Sequence, residues 1–419
     1  MSDVKKNNLD LNKNNRMLQK IIKSCPKEVD LTNDRHSVII TEIVESIIEA
    51  YSISEIEKIE EQLIDKNDNS LIFILLSLKI AKSKLLASKI TEPLKISVVF
   101  AVYKEQNRIL KNSDHPHGED FLSKKVKQLQ WLFENQPLIT WELIIVDDGC
   151  PEGSGKIAQD IIDKNKWNNK VRVLFLADAI EQGHSVVESL NSTKDSQKGG
   201  SIVYGMWDAI QGKKVNNHIV TYTDADLSTH LGQLMLLVEP LLNQNKLVTI
   251  GSRREEKSVV IKKGVRNNRG KLFIYLWKRL IPNLSEVVDT QCGFKAFRAE
   301  IIPHIIDDLI ETKFAFDIEL LLKTELYKKG SISKIPIAWI DSEEASTTTD
   351  LSPYLSMLKS IAMMNRRYFH KKKLDNGFVS FIESLDKERF NKILDDIPPN
   401  IVKRNPDEFT DYDEVRVVD

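Results

Sequence analysis

The sequence predicts an α/β protein: a mixed, mostly parallel sheet flanked by helices, with a small helical subdomain ahead of it. Three observations carry this. Runs such as Ile96 to Val102 are continuously apolar rather than alternating, as in strands covered on both faces. From about Lys95 to Lys334 such runs alternate with helical segments, the pattern of strand–crossover–strand units with right-handed connections. Acidic residues stand where strands stop, Asp147 and Asp148 after one and Asp224 and Asp226 after another, at the sheet end where open α/β folds bind ligands.

The chain has 419 residues, 41% hydrophobic and 29% charged, an ordinary globular composition. That length suits two or three domains. A formal net charge of -1 provides no global field for nucleic acid, so nucleic acid is not an expected partner and any anion site is local. Cys25, Cys150 and Cys292 are far apart and odd in number, which argues against a disulfide framework and for a reducing compartment. Met1 to Asn15 is polar and does not read as a signal peptide. The apolar run Leu71 to Leu78 is too short to span a bilayer. The expected location is cytoplasmic, with peripheral contact to a membrane as an open alternative.

In order, residues 1–33 are expected to be disordered or loosely attached, and 34–92 to form the helical subdomain. There Ile39, Ile40, Ile43, Val44, Ile47 and Ile48 make one apolar face, and Ser52 and Glu55 stand at capping-box spacing. Residues 93–345 are the α/β domain, and 346–419 a C-terminal helical extension that turns acidic and irregular from Asn391. Within the α/β domain the expected strands are Ile96 to Val102, Trp141 to Val146, Val171 to Leu176, His218 to Thr223, Leu247 to Ile250 and Ile332 to Ile340. Helices are expected over Phe121 to Glu134, Lys156 to Asp163, Ser201 to Ile210 and Leu231 to Leu242. The block Leu272 to Pro282 is apolar, aromatic and bracketed by Lys and Arg. It reads equally as a core helix or as an interfacial helix with cations near lipid phosphates.

Asp224-Ala225-Asp226 follows the strand His218 to Thr223. Residues at i and i+2 of an extended segment share a face, so both carboxylates can reach one hard cation, Mg²⁺ or Mn²⁺. Alone, Asp-x-Asp is more often a solvated turn, and Asp147-Asp148-Gly149 is also a turn signal. Gly199-Gly200 opens a helix where free N–H groups suit a phosphate, or else is a flexible turn. Asp317 begins a helix, as a dipole-stabilising carboxylate or as a general base.

Taken together, these marks resemble family-two glycosyltransferases of the GT-A fold, most closely dolichyl-phosphate β-glucosyltransferases and bacterial polyprenyl-phosphate relatives. The matching runs are Ala101-Val102-Tyr103-Lys104-Glu105, Val146-Asp147-Asp148-Gly149, Lys198-Gly199-Gly200, Asp224-Ala225-Asp226, Gly251-Ser252-Arg253, Asp289-Thr290-Gln291-Cys292-Gly293-Phe294-Lys295 and Phe316-Asp317-Ile318-Glu319-Leu320. Departures are Val203 where relatives often have Arg, Ser228 where some mannosyltransferases have a metal-binding Gln, and Cys150 for the usual Ser. The resemblance implies an inverting hexose transfer, with UDP-glucose favoured as donor and a polyprenyl phosphate or a soluble hydroxyl compound as acceptor. It implies that Tyr103, Glu105, Asp147, Asp148, Lys198, Gly199, Arg253 and Gln291 hold the nucleotide sugar. Asp224 and Asp226 would bind Mg²⁺ or Mn²⁺ and the diphosphate, Arg266 and Arg269 would meet acceptor or donor phosphate, and Asp317 would be the catalytic base. The alternatives are a nucleotidyltransferase making a sugar nucleotide and a non-catalytic membrane- or partner-binding protein. The first expects a Gly-rich loop after the first strand, and Ala101 to Arg108 has no glycine.

Overall fold

The computed structural model describes residues 16–66, 68–261, 267–341, 352–369 and 376–409. Its centre is a seven-stranded sheet of order β3-β2-β1-β4-β7-β5-β8. The strands are β1 (Leu94–Val102), β2 (Ile139–Asp147), β3 (Val171–Phe175), β4 (His218–Thr223), β5 (Val248–Ser252), β7 (Phe294–Arg298) and β8 (Ile332–Pro336). A second, two-stranded sheet pairs β6 (Val259–Ile261) with β9 (Ala338–Ile340). β7 runs antiparallel to both neighbours and every other pairing is parallel, so the fold is the mixed, mostly parallel one the sequence predicts. The single strand expected from Ile332 to Ile340 is two. It breaks at Pro336, which has no N–H to donate, and the chain then leaves the edge of the large sheet to pair with β6.

Helices cover both faces. The helix Gly199–Ala209 lies on β1 and β2 so closely that a Cβ on Gly205 would stand 2.4 Å from Val99 Cγ1 and 2.9 Å from Val146 Cγ2. Ahead of the sheet come the helices Asp34–Ala50, Ile53–Ile64 and Ile72–Ala87. Ser52 and Glu55 make the capping box that their spacing predicts, with the Ser52 N–H donating to Glu55 Oε2 at 2.8 Å. The helix Ile72–Ala87 is buried almost all round, between these helices and the helix Leu234–Asn243. It buries Lys79, whose ammonium meets Glu60 at 2.5 Å and the Pro336 carbonyl at 3.3 Å, tying the helical layer to the end of β8.

Residues 16–24 are helical and bury Leu18 and Ile21, so this part of the first 33 residues packs where its composition predicts loose attachment. The helix Asn267–Leu280 is core and not interfacial: Trp277 and Tyr275 are fully buried and Phe273 nearly so. The helices Ser352–Phe369 and Pro399–Lys403 pack over it, and its cations turn to backbone, Lys271 to the Val402 carbonyl at 2.7 Å and Lys278 to that of Pro406 at 2.8 Å. The tail expected to be irregular from Asn391 thus supplies cover, through the helices Lys387–Asp395 and Pro399–Lys403. Among the described residues no helix is long and apolar enough to cross a membrane.

Because the helix over β1 and β2 admits no side chain at Gly205, Gly205→Ala is expected to cost about 1–3 kcal/mol from overpacking. Urea unfolding measures it, and an unchanged midpoint would show that this contact gives way freely.

Candidate active site

β4 ends at Thr223 and delivers Asp224 and Asp226 to the sheet rim. The Asp224 N–H donates to the Gly293 carbonyl at 3.0 Å, just before β7. Gly293 has to be glycine here, since a Cβ would lie 2.2 Å from Asp224 Oδ1. Asp224 Oδ1 is ion-paired with the Lys198 ammonium, and Asp226 Oδ1 accepts the Ser228 N–H at 3.0 Å. Neither Oδ2 accepts a hydrogen bond from a described residue. Burial pushes both carboxyls up. For Asp224 the charges of Lys198, Lys295 and Arg253 overcome burial and hold it below the usual range. Asp226 stays raised, by burial and then by the charge of Asp224. An oxygen-only pair with two free oxygens suits Mg²⁺ or Mn²⁺, ions that keep water or phosphate oxygens as their other ligands. Among the described residues no cluster of three or more His, Cys, Asp or Glu gathers to hold a metal, so an ion on this pair would need phosphate or water oxygens to complete its shell.

Lys198 reaches Asp224 from a backbone with φ +80°, held by Asp148. The Lys198 N–H donates to Asp148 Oδ2 at 2.9 Å and the Ser201 hydroxyl to Oδ1 at 2.6 Å. Asp147 accepts the Cys150 N–H at 2.7 Å and the Gly155 N–H at 2.6 Å. Both carboxylates are buried, at 5% and 6% exposure, and both oxygens of each are taken. They therefore shape the turns around the site, each oxygen accepting one hydrogen bond and keeping a second lone pair. The glycine pair serves packing as well. A Cβ on Gly199 would meet the Lys313 carbonyl at 2.5 Å, and the Gly200 N–H donates to the Thr312 carbonyl at 2.8 Å, so that amide is not free for a phosphate.

The segment held by these glycines leads into the helix Phe316–Tyr327, where Asp317 stands in the first turn. Asp317 is buried and its Oδ1 accepts from Lys295 Nζ at 2.7 Å. Lys295, on β7, also donates to the Cys292 carbonyl at 2.6 Å. Burial pushes the Asp317 carboxyl up to about 8, against the opposing charge of Lys198. The same burial pushes the Lys295 ammonium down to about 7. Glu319, two residues on, is committed elsewhere: it accepts the Ile310 and Glu311 amides and the Tyr368 hydroxyl.

Arg253, expected on a phosphate, forks onto Asp289: Nε to Oδ2 at 2.8 Å and Nη2 to Oδ1 at 2.7 Å. Burial opposes the Asp289 charge, but Arg253 holds this carboxyl down at about 2. Gln291 has its Nε2 buried without a partner among the described residues, two residues before Gly293. Arg269 is exposed on the helix Asn267–Leu280, and Arg266 lies outside the described residues. Tyr103 is 49% exposed beyond β1. Glu105 pairs with Arg108 at 3.1 Å, and Arg108 with Glu119 at 3.0 Å. Burial raises Glu105, and the charge of Asp226 adds to this, which places it on the same side of the rim.

Sequence reasoning gave no role to Lys295, Asp289, Arg108 or Lys125. A lone lysine inside the apolar strand Phe294–Arg298 was the available signal for Lys295, since an unpaired charge there is untenable. Removing Arg253 strands a buried carboxylate, so Arg253→Ala is expected to lower unfolding free energy by about 3–5 kcal/mol. Equilibrium denaturation with unchanged stability would instead leave Arg253 as a ligand contact only.

No family model matches the chain. In sequence it is 28% identical over 283 residues to the dolichyl-phosphate β-glucosyltransferase of Homo sapiens, covering 65% of this chain and 75% of that protein. The Saccharomyces cerevisiae enzyme of the same name is 24% identical over 293 residues, 66% of this chain and 76% of the relative. Among solved structures, Mycobacterium tuberculosis glucosyl-3-phosphoglycerate synthase in complex with Mn²⁺, UDP and glucosyl-3-phosphoglycerate aligns with a TM-score of 0.45. The identity is 17%, over 69% of this chain and 83% of that one.

Proposed function

We propose that this chain, a glycosyltransferase similar to the family-two enzymes of the GT-A fold, moves a hexose from a nucleoside diphosphate sugar, UDP-glucose being favoured, in a metal-assisted, inverting displacement. The observation that carries the reading is the rim where β4 ends and β7 begins. There Asp224, Asp226, Lys198 and the Asp317–Lys295 pair come together. A Mg²⁺ or Mn²⁺ on Asp224 and Asp226 would offset the charge that gathers on the departing diphosphate. Lys198 puts a second positive charge at the same place. Tyr103 offers an exposed ring for the base, on the side where Glu105 and Arg108 close the turn. The glucosyl group and the dolichyl phosphate acceptor come from the names of the relatives.

The acceptor sets what Asp317 does. A hydroxyl has to lose its proton as its oxygen attacks the anomeric carbon, and a carboxylate in a buried site is a base suited to take it. A phosphate monoester arrives already anionic and needs cations instead, which Lys198 and Arg269 would supply. The nucleotidyltransferase alternative gains no support, because the turn after β1 holds the Glu105–Arg108 pair and no glycine.

Two outcomes are expected. Asp224→Ala and Asp226→Ala each abolish metal-dependent UDP-glucose turnover, together with the added thermal stability that UDP and Mn²⁺ confer on the wild type. Turnover at the wild-type rate in either variant would sink the metal assignment. With a hydroxyl acceptor, kcat/KM rises with pH and levels off above about 8, because the base works only when Asp317 is ionised. Asp317→Asn then loses about 100- to 10,000-fold. A profile without that acidic limb identifies the acceptor as anionic and removes the base from the mechanism.

A further inference from the structure

Lys125 stands on the helix Phe121–Leu132 and is fully buried. Among the described residues its Nζ has no hydrogen-bond partner and it forms no ion pair. An ammonium taken out of water without a partner is costly, so a fold that keeps one here gains something else from it. Its place can be read from its neighbours. Gln128, one turn along the same face, accepts the Leu231 N–H at 2.9 Å, which presses this face against the segment that follows Asp226. The ammonium lies 5.8 Å from the centre of the Phe100 ring. Phe100 follows Val99, which pairs with Tyr222 on β4. Lys125 is thus wedged between its helix and the end of β4, behind the acidic pair. The charged groups facing it are Asp226, Asp224 and Glu119, which favour its charge, and Arg108, which opposes it.

We infer that Lys125 is a fixed counter-charge to the acidic pair, a positioning residue that weakens divalent-ion binding to the bare rim and so couples the ion to the nucleotide. This rests on the metal reading of Asp224 and Asp226. Lys198 answers Asp224 directly, and Lys125 answers Asp226 from behind. Two carboxylates set against two ammoniums leave a divalent ion little net charge to bind. The two lysines differ in freedom. Lys198 is partly exposed and can turn to an incoming phosphate, whereas Lys125 has no way out. An arriving diphosphate brings the negative charge that the rim lacks, and the ion then binds tightly. By linkage the ion strengthens the diphosphate to the same degree.

Mn²⁺ binding, followed by the electron paramagnetic resonance of the free ion with and without UDP, tests this in the full chain. Lys125→Met is expected to tighten Mn²⁺ without UDP by about 10-fold or more, as loss of a nearby like charge in a half-buried site requires, and to shrink the enhancement by UDP. Lys125→Gln, polar and uncharged, gives the same tightening and serves if the methionine variant fails to fold. Lys127→Met, which removes the same charge from the exposed face of that helix, behaves as wild type. Equal or weaker Mn²⁺ affinity in the Lys125 variants overturns the inference and leaves the metal reading standing. No Mn²⁺ binding by the wild type, even with UDP, overturns both.

Discussion

A carboxylate buried at the end of a sheet loses its water and has to be answered by a cation, and this chain meets that demand repeatedly within one small rim. Asp289 has Arg253, Asp317 has Lys295 and Asp224 has Lys198. Of these four carboxylates Asp226 has no paired cation among the described residues, only the Ser228 amide and a lysine held out of reach behind it. Asp289 is matched bidentately and stays fully ionised, while Asp226 is left raised by its burial and by its neighbour. The least satisfied carboxylate of the group is the one with most to gain from an external cation.

That arrangement depends on β7. An antiparallel strand between β4 and β5 brings its own start to the rim where its parallel neighbours end. It thereby places Gly293 against Asp224 and Lys295 against Asp317 at the same time. Gly293 lets the backbone approach a carboxylate that any side chain would push aside. Gly199 does the equivalent for the 312–313 segment, so the turn that carries Lys198 and the turn that leads to Asp317 are packed on each other. Displacing either would move a cation and a carboxylate together.

Much of this was legible because strand ends and acidic residues are local features. The run Ile96 to Val102 announces a buried strand, and the glycosyltransferase resemblance follows from short motifs in order. What was not legible is which atoms face each other. Nothing local shows that both oxygens of Asp147 and Asp148 are taken by amides and a hydroxyl, since Asp-Asp-Gly after a strand suits a ligand site and a capped turn alike. The aromatic helix Asn267–Leu280 was left open between core and interface for a related reason: aromatics bracketed by cations look the same under lipid as under the helices that follow more than seventy residues later. Lys125 was within reach of periodicity. Leu122, Lys125 and Leu129 fall at i, i+3 and i+7, so this lysine sits on the apolar stripe and not on the solvated face.

The charges of the rim also bear on the order of events. Asp224 and Asp226 stand against Lys198 and Lys125, two carboxylates and two cations. Such a rim is balanced before any ligand arrives, and balance at low dielectric is what makes its burial tolerable. Adding a divalent ion alone upsets the balance in one direction, and adding a diphosphate alone upsets it in the other. Adding both restores it, with Lys198 the cation free enough to pass between carboxylate and phosphate. If the proposed donor complex binds here, a departing diphosphate would take the ion's counter-charge with it, and Lys198 would be free to return to Asp224. A site built this way would resist holding half of such a complex, which follows from electroneutrality in a partly buried space rather than from any single contact.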